Sequence, residues 1–450
     1  MEKIILAIQD RSIFKKARHK IKSSLFILLV KLSLFINYPK LTALIFMMIA
    51  SKVNRRGDFT VLCLGRSVFL NDIEALANFG GRIKYVVIFK NYFRMIFDYF
   101  LTESERNQLT EENYHICNLA GDAKRKYNLY LSQMIPALRR LIKFDAVLSG
   151  NFGYPEQQEL EDVCTKNGIP FIILHKEGLL VPGYGKEWAD LFKVYKFRGA
   201  EILFYSNEIR RALLNNSLSG ISENNTKIVG MPRFDYYFTM PKKEKKYISK
   251  QVVCFSSDPD DRLLGLFIKD DNKIKEIRDR FYNFHKSVIK FAADNKNIKV
   301  IIKTKFAGHY FQYVKQILAD NFKDPIDNLV ITNIGDTLDL IKNSIAVISF
   351  NSTTCLEALI FEKVLISPYF GDLITDKPWD YFSEHPELVN YIKTETDLEK
   401  YIFNSDLYTS HDMISKKKLF KDLLGNSDGQ SSVRAENEII KIIQKFQHPT

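Results

Sequence analysis

Ser349-Phe350-Asn351-Ser352-Thr353-Thr354-Cys355-Leu356-Glu357-Ala358-Leu359 is the stretch from which the fold of this chain can be read. The run before it, residues 345–348, is short and wholly apolar, as in a strand buried on both faces of a parallel sheet. It stops abruptly at small hydroxyl and amide residues. Leu356, Leu359 and Ile360 then recur at helix spacing, with Glu357 in the expected first turn. Strand, polar turn and helix in that order point free backbone N–H groups and hydroxyls beyond the sheet edge, where an anion is favoured. Residues 364–367 read as the next strand. The carboxyl edge of this α/β unit suits a phosphate carrying a ribose.

The same alternation runs outward in both directions. Residues 59–64, 85–89, 146–148, 170–174, 202–205 and 227–229 read as strands, with helices predicted at 72–78, 125–142, 156–167 and 208–214. Pro241-Lys242-Lys243-Glu244-Lys245-Lys246 is charged and broken by a proline, so it reads as an interdomain linker. Beyond it the pattern restarts. Strands are expected at 251–255, 298–302, 329–332, 346–349 and 364–366, helices at 273–293, 310–319, 337–341 and 354–361, and a last helix at 433–446. The fold class is α/β: two Rossmann-like domains, 55–240 and 241–450, behind a helical segment, 1–54.

Three motifs resemble one family. Asn351-Ser352-Thr353-Thr354 with Glu357-Ala358 is similar to the donor-nucleotide loop of GT-B-fold glycosyltransferases, above all the bacterial surface and capsular polysaccharide enzymes and the CDP-glycerol glycerophosphotransferase-like group. Val229-Gly230-Met231-Pro232-Arg233-Phe234-Asp235 resembles the G-x-P-R-x-D that closes their N-terminal domain. Asp428-Gly429-Gln430-Ser431-Ser432-Val433-Arg434 resembles the motif before their last helix. The resemblance implies two domains facing a cleft, a final helix crossing back to the first domain, and sugar transfer from a nucleotide-activated donor to a glycan or lipid-linked acceptor. The chain departs from the glycerophosphotransferases at Lys303-Thr304-Lys305-Phe306, where they carry a basic residue, then x-His-Pro. That counts against a CDP-glycerol donor. Polyol-phosphate transfer, non-hydrolysing sugar-nucleotide epimerisation and a non-catalytic scaffold for glycan assembly are the alternatives.

With 450 residues, 46% hydrophobic and 26% charged, the chain has the composition of a large folded protein rather than a disordered one. A formal charge of +12 suits phosphorylated substrates or an anionic membrane face. Nucleic acid is not expected as a partner, because no basic stripe with interleaved aromatics and no zinc-finger or RNA-recognition signature is present. The five cysteines are scattered without C-x-x-C spacing, which suggests reduced thiols, a cytoplasmic location and no bound metal.

Near the N-terminus, Phe14, Ala17, Ile21, Leu25, Leu28, Leu32 and Phe35 recur in steps of three and four, among Lys15, Lys16, Arg18, Lys20 and Lys22. An apolar run at 41–50 follows Pro39, and Lys52, Arg55 and Arg56 come after it. Neither run reaches the roughly 20 residues of a spanning helix. Three readings stand: helices lying on the inner face of the cell membrane, helices packed on the protein's own domain and, in third place, a transmembrane anchor.

Ligands of open α/β sheets sit beyond the carboxyl ends of the strands, so candidates are sought there. His175 and Glu177 follow an expected strand, and either can serve as the base that takes the acceptor's hydroxyl proton. Asn351, Ser352, Thr353 and Thr354 are expected at the donor phosphates, and Glu357 at the ribose. A plain capping box would also place Glu357 three residues after Thr354. Lys303 and Lys305 can neutralise the leaving nucleotide without a metal. Arg233 can grip a phosphate or brace the hinge with Asp235. Ser256 is expected to touch donor phosphate, and the Asp258-Pro259-Asp260-Asp261 run after it reads as a turn. Gly65-Arg66-Ser67 lacks the dinucleotide-binding glycine pattern and is expected to shape an acceptor site. No cofactor is expected.

Overall fold

The computed structural model describes residues 25–116, 118–190, 192–215, 219–240, 250–256, 268, 270–305, 308–370, 380–394 and 396–448. The linker at 241–246, the basic stretch before residue 25, the acidic run at 258–261 and Cys117 lie outside them. The chain divides into two units. The first takes in residues up to Gly178, Ala189–Arg233 and everything from Gln430; the second takes in Leu179–Trp188 and Phe234–Gly429. The division therefore differs from a simple cut at 240, with Phe234–Met240 belonging to the second unit.

The first unit holds strands β1 (Ser51–Lys52), β2 (Phe59–Gly65), β3 (Ile83–Phe89), β4 (Ala146–Ser149), β5 (Phe171–His175), β6 (Glu201–Phe204) and β7 (Thr226–Ile228). Their order is β1-β3-β2-β4-β5-β6-β7, parallel except for the edge strand β1. The chain runs from β2 outward to β3, then returns past β2 to β4. That reversal leaves a crevice at the carboxyl ends of β2 and β4. Strands β4 and β5 are buried along their whole length, as helix-covered parallel strands must be.

The second unit holds β8 (Gln251–Ser256), β9 (Lys299–Thr304), β10 (Leu329–Thr332), β11 (Ala346–Ser349), β12 (Val364–Pro368) and β13 (Asn390–Ile392), in the order β10-β9-β8-β11-β12-β13, all parallel. Here the reversal falls between β8 and β11. Ser349 is level with Phe255, so the loops after both strands start side by side. The core beneath is aliphatic, with Val252, Cys254, Ile302, Ile348 and Ile366 facing Val288 and Ile289 of the Asp271–Asp294 helix.

The last helix, Ser431–Gln447, is part of the first unit. Its Glu436 carboxylate accepts from the backbone N–H groups of Gly81, Arg82 and Ile83 at 3.1, 3.0 and 3.2 Å. Arg434 Nε donates to the Val229 carbonyl at 3.0 Å, and Arg434 Nη2 to Ser431 Oγ at 3.2 Å. Gly230 sits at φ +88°, and a Cβ there would lie 2.3 Å from Ser431 Oγ. Left-handed backbone and close approach together require glycine. Two of the three family-like motifs thus meet each other and form a latch.

At the N-terminal end, the helix at 25–35 and the helix Pro39–Ile49 pack on the first unit through Phe26, Val30, Leu34, Ala43 and Phe46. A buried hydroxyl chain, Ser33 to Thr42 to Tyr130, ties them to the Gly121–Ile142 helix. No helix among the described residues is long and apolar enough to cross a membrane.

Glu161, fully buried on the Pro155–Lys166 helix, gives the first unit a pH dependence. Burial pushes its carboxyl from 4.5 up to about 8, against the pull of the Arg198 N–H and guanidinium. Between those values the unfolded chain releases this proton while the folded chain keeps it, so its contribution is full below 4.5 and is lost as pH rises towards 8. Glu161→Gln should flatten that decline. Its stability relative to the parent should grow with pH over this window, by at most about 1.4 kcal/mol per unit. Urea unfolding at both ends of the window measures it, and parallel pH profiles for the two proteins would refute it.

Candidate functional site

Two clusters lie at strand ends, one in each unit. In the second unit the crevice between β8 and β11 is lined by the expected donor loop. Asn351 adopts a left-handed conformation, φ +43°, which asparagine tolerates better than most residues. This turns the chain into the Thr353–Ile360 helix. Ser352 is the N-cap, accepting from Thr354 N at 3.3 Å, while the Thr354 hydroxyl bonds Ser352 Oγ at 3.0 Å and Ser349 Oγ at 2.8 Å. Asn351, Ser352 and Thr353 are partly exposed; Thr354 is buried and holds the turn together from beneath.

Glu357 does not close a capping box, because the cap is Ser352 and the third helical position is Cys355. Its side chain lies a turn further in and is almost fully buried. It lies one turn beyond the Ser352 cap, on the helix that follows β11 directly.

Other residues at this edge behave differently from expectation. The Ser256 hydroxyl is 2.7 Å from His285 Nε2, while His285 Nδ1 is 2.8 Å from the Phe281 carbonyl. A carbonyl only accepts, so Nδ1 carries the imidazole proton and Ser256 donates to Nε2. Ser256 therefore offers lone pairs outward, and a phosphate is no partner for it. It suits a hydroxyl donor instead. Lys303 at the end of β9 is half-buried; burial lowers its ammonium pKa, with Asp336 opposing. Lys305 is exposed, its Nζ 5.2 Å from the centre of the Tyr310 ring. Both stand one strand away from the reversal point, on the β9 side of β8. Sequence reasoning missed Asp380. The neighbouring Tyr381 N–H donates to Asn351 Oδ1 at 3.2 Å, and burial pushes the Asp380 carboxyl up to about 6. It follows no strand, so nothing in the residue pattern marked it.

In the first unit, His175 and Glu177 separate. His175 is the last residue of β5 and is fully enclosed by Phe152, Phe192 and Phe204, at ring distances of 5.2, 6.2 and 5.5 Å. Burial lowers its pKa to about 4. Enclosure keeps it from an acceptor hydroxyl, so the geometry does not favour it as the base. Glu177 is partly exposed and ion-paired with Lys176. Burial alone would raise its carboxyl, but the Lys176 charge outweighs this and holds it below the usual range, so it is ionised at neutral pH.

Around Glu177 the carboxyl ends of β2, β3, β4 and β5 gather charge. Arg66 donates to the Tyr154 hydroxyl, and Lys90 Nζ sits 3.9 Å above the Tyr154 ring while pairing with Glu156 at 2.8 Å. Glu111 has its carboxyl raised, first by burial and then by repulsion from Glu156. Lys90, Tyr154 and Glu156 were missed by sequence reasoning, although Lys90 follows β3 directly and the other two follow β4. Arg233 bears on the Glu177 cluster through its charge, which adds to burial in lowering the Lys176 ammonium pKa. Its Nη1 donates to Asp72 Oδ2 at 2.8 Å and to the Tyr205 hydroxyl at 3.1 Å, and the Tyr205 hydroxyl donates to the same Asp72 oxygen at 2.8 Å. It is a bracing residue, with Asp72 rather than Asp235 as its acid. Among the described residues no group of three or more metal-ligating side chains is assembled.

No protein-family model matches the chain, and no curated protein does. Solved structures do. A protein of Listeria monocytogenes assigned as a UDP-N-acetylglucosamine 2-epimerase superposes with a TM-score of 0.50 at 8% identity, over 88% of this chain and 98% of its own. The S. aureus protein MnaA, solved with UDP, gives 0.50 at 12% identity, over 87% and 98%. At such identities the likeness is one of architecture, and the chain has the double-Rossmann fold of the GT-B type.

Proposed function

We propose that this protein is a GT-B enzyme acting on a nucleotide-activated sugar, and that it transfers the sugar to a surface-polysaccharide or lipid-linked glycan acceptor. The observation that carries the reading is Glu357, buried one turn into a Ser352-capped helix at the reversal point of the second sheet. The helix start receives the donor phosphates through Ser352 and Thr353, and Glu357 accepts hydrogen bonds from the ribose hydroxyls. Lys303 and Lys305 offset charge on the leaving nucleotide, so no metal is called for. In the first unit Glu177 is the base, and Arg66, Lys90 and Lys176 supply positive charge for an anionic acceptor.

Epimerisation is the second reading. It is favoured by the neighbours, which are named as 2-epimerases and include one solved with UDP. A nucleotide-activated sugar is the substrate in both cases, and only transfer needs an acceptor. Incubation with UDP-, GDP- and CDP-sugars in EDTA, followed by NMR, separates them. Transfer predicts nucleotide release that depends on added acceptor; a new sugar epimer without acceptor supports the second reading. If none of the nucleotides binds, both fail.

The same assay separates the two base candidates. Glu177→Gln should cut kcat by at least about a hundredfold, in line with the loss of a general base. His175→Phe should stay within about threefold, because phenylalanine has a similar volume and keeps the ring contacts with Phe152, Phe192 and Phe204. The reverse pattern would return the role to His175.

A further inference from the structure

The periodic stripe Leu25, Leu28, Leu32 and Phe35 is the natural candidate for the face that packs on the protein. The structure shows the opposite. Phe26, Val30, Ser33 and Leu34 face inward, and the stripe faces away. Leu25, Leu28 and Phe35 are 57, 63 and 78% exposed, and Leu29, Leu32 and Ile36 join them on the same side of the helix. The next helix continues the surface with Leu44 and with Met48, which is 73% exposed. A surface helix normally turns polar residues to water. Here both faces are apolar, and the protein covers one of them.

Within residues 25–56 the charges are all of one sign. Residues 25–56 contain Lys31, Lys40, Lys52, Arg55 and Arg56, all exposed, and no aspartate or glutamate. Lys31 flanks the stripe, Lys40 opens the second helix, and the other three follow that helix closely. Pairing these two helices with those of a second copy would bring together two stretches that carry basic residues and no acid. An anionic bilayer meets both requirements: headgroups take the lysines and arginines, and the acyl boundary takes the leucines and phenylalanine. We infer that the outward face of helices 25–35 and Pro39–Ile49 is a docking surface for an anionic lipid membrane, on which these two helices lie. The inference stands independently of the reaction proposed above.

The test is sedimentation of the full-length protein with phosphatidylcholine vesicles and with vesicles of equal parts phosphatidylcholine and phosphatidylglycerol. The parent should bind the anionic vesicles, and added salt should weaken binding. Leu28→Glu combined with Phe35→Glu should reduce binding at least tenfold; both side chains already point to water, so folding, checked by circular dichroism, should be kept. Arg55→Ser combined with Arg56→Ser should weaken it by roughly twenty-five-fold, at about fivefold per basic residue. Leu407→Glu, an exposed leucine of the second unit, should change nothing. Equal binding to neutral and anionic vesicles would overturn the inference. So would no vesicle binding at all, or a dimer seen by light scattering that Leu28→Glu with Phe35→Glu dissolves while vesicles remain unbound.

Discussion

Glu357→Ala should remove nucleotide binding almost entirely, with affinity falling about a hundredfold or more in calorimetric titration. A charged carboxylate that accepts two hydroxyl hydrogen bonds contributes roughly 1.5–3 kcal/mol for each, and about 3 kcal/mol in total is close to two powers of ten. The loss should be specific to the ligand. Glu357 caps nothing, and the turn before it is held by Ser352, Thr354 and Ser349. The unfolding midpoint should move little compared with the loss of affinity. Glu357→Gln should recover part of the affinity, since an amide oxygen still accepts. A variant that unfolds early and binds no worse would mean that Glu357 is a structural residue and that the donor site lies elsewhere.

Glu436→Ala should destabilise the first unit by about 1–3 kcal/mol. Its carboxylate takes three successive N–H groups, those of Gly81, Arg82 and Ile83. Gly81 and Arg82 lie between the Ser67–Phe79 helix and β3, and Ile83 opens β3. An unsatisfied buried donor costs about 1–3 kcal/mol, and that applies to Ile83, whereas Gly81 and Arg82 are exposed and can turn to water. The Tyr85 hydroxyl, 3.5 Å away, loses a partner too. Urea unfolding followed by tryptophan fluorescence and far-UV circular dichroism gives the number. Glu436→Gln should lie between the two, because it keeps one accepting oxygen and turns an NH2 group towards donors. A midpoint shift below about 1 kcal/mol would mean that the amides find water instead.

Most of the architecture was legible because buried parallel strands are apolar on both faces and bounded by polar turns. Residues 329–332 and 346–349 fall on β10 and β11 to the residue. What escaped notice lies at the edges. The two-residue β1 is exposed, and β13, Asn390–Ile392, is only partly buried and opens with a polar residue, so neither makes an apolar run. The Lys90–Phe100 helix starts directly from β3 without a turn signal between them.

The site was legible as a set of positions and much less as a set of orientations. Spacing put His175 at a strand end, but both faces of a helix-covered sheet are buried to the last residue, and the imidazole stays inside with Phe152 and Phe204. Ser256 also lies where expected, yet a histidine 29 residues away decides what its hydroxyl can do. Motif matching had a similar limit. Gly230 and Arg434 are recognisable as pattern, but their work is to fasten one stretch of backbone to another.

That fastening has a consequence for synthesis. Every residue of the second unit has been made before Gln430 is added, whereas the first unit lacks its acceptor for three amides until Glu436 emerges from the ribosome. Although most of the first unit is translated early, it can only be completed late, after the second can already have folded. A stalled or prematurely terminated chain would carry an intact later unit and an unfinished earlier one, the reverse of the usual order along a nascent polypeptide.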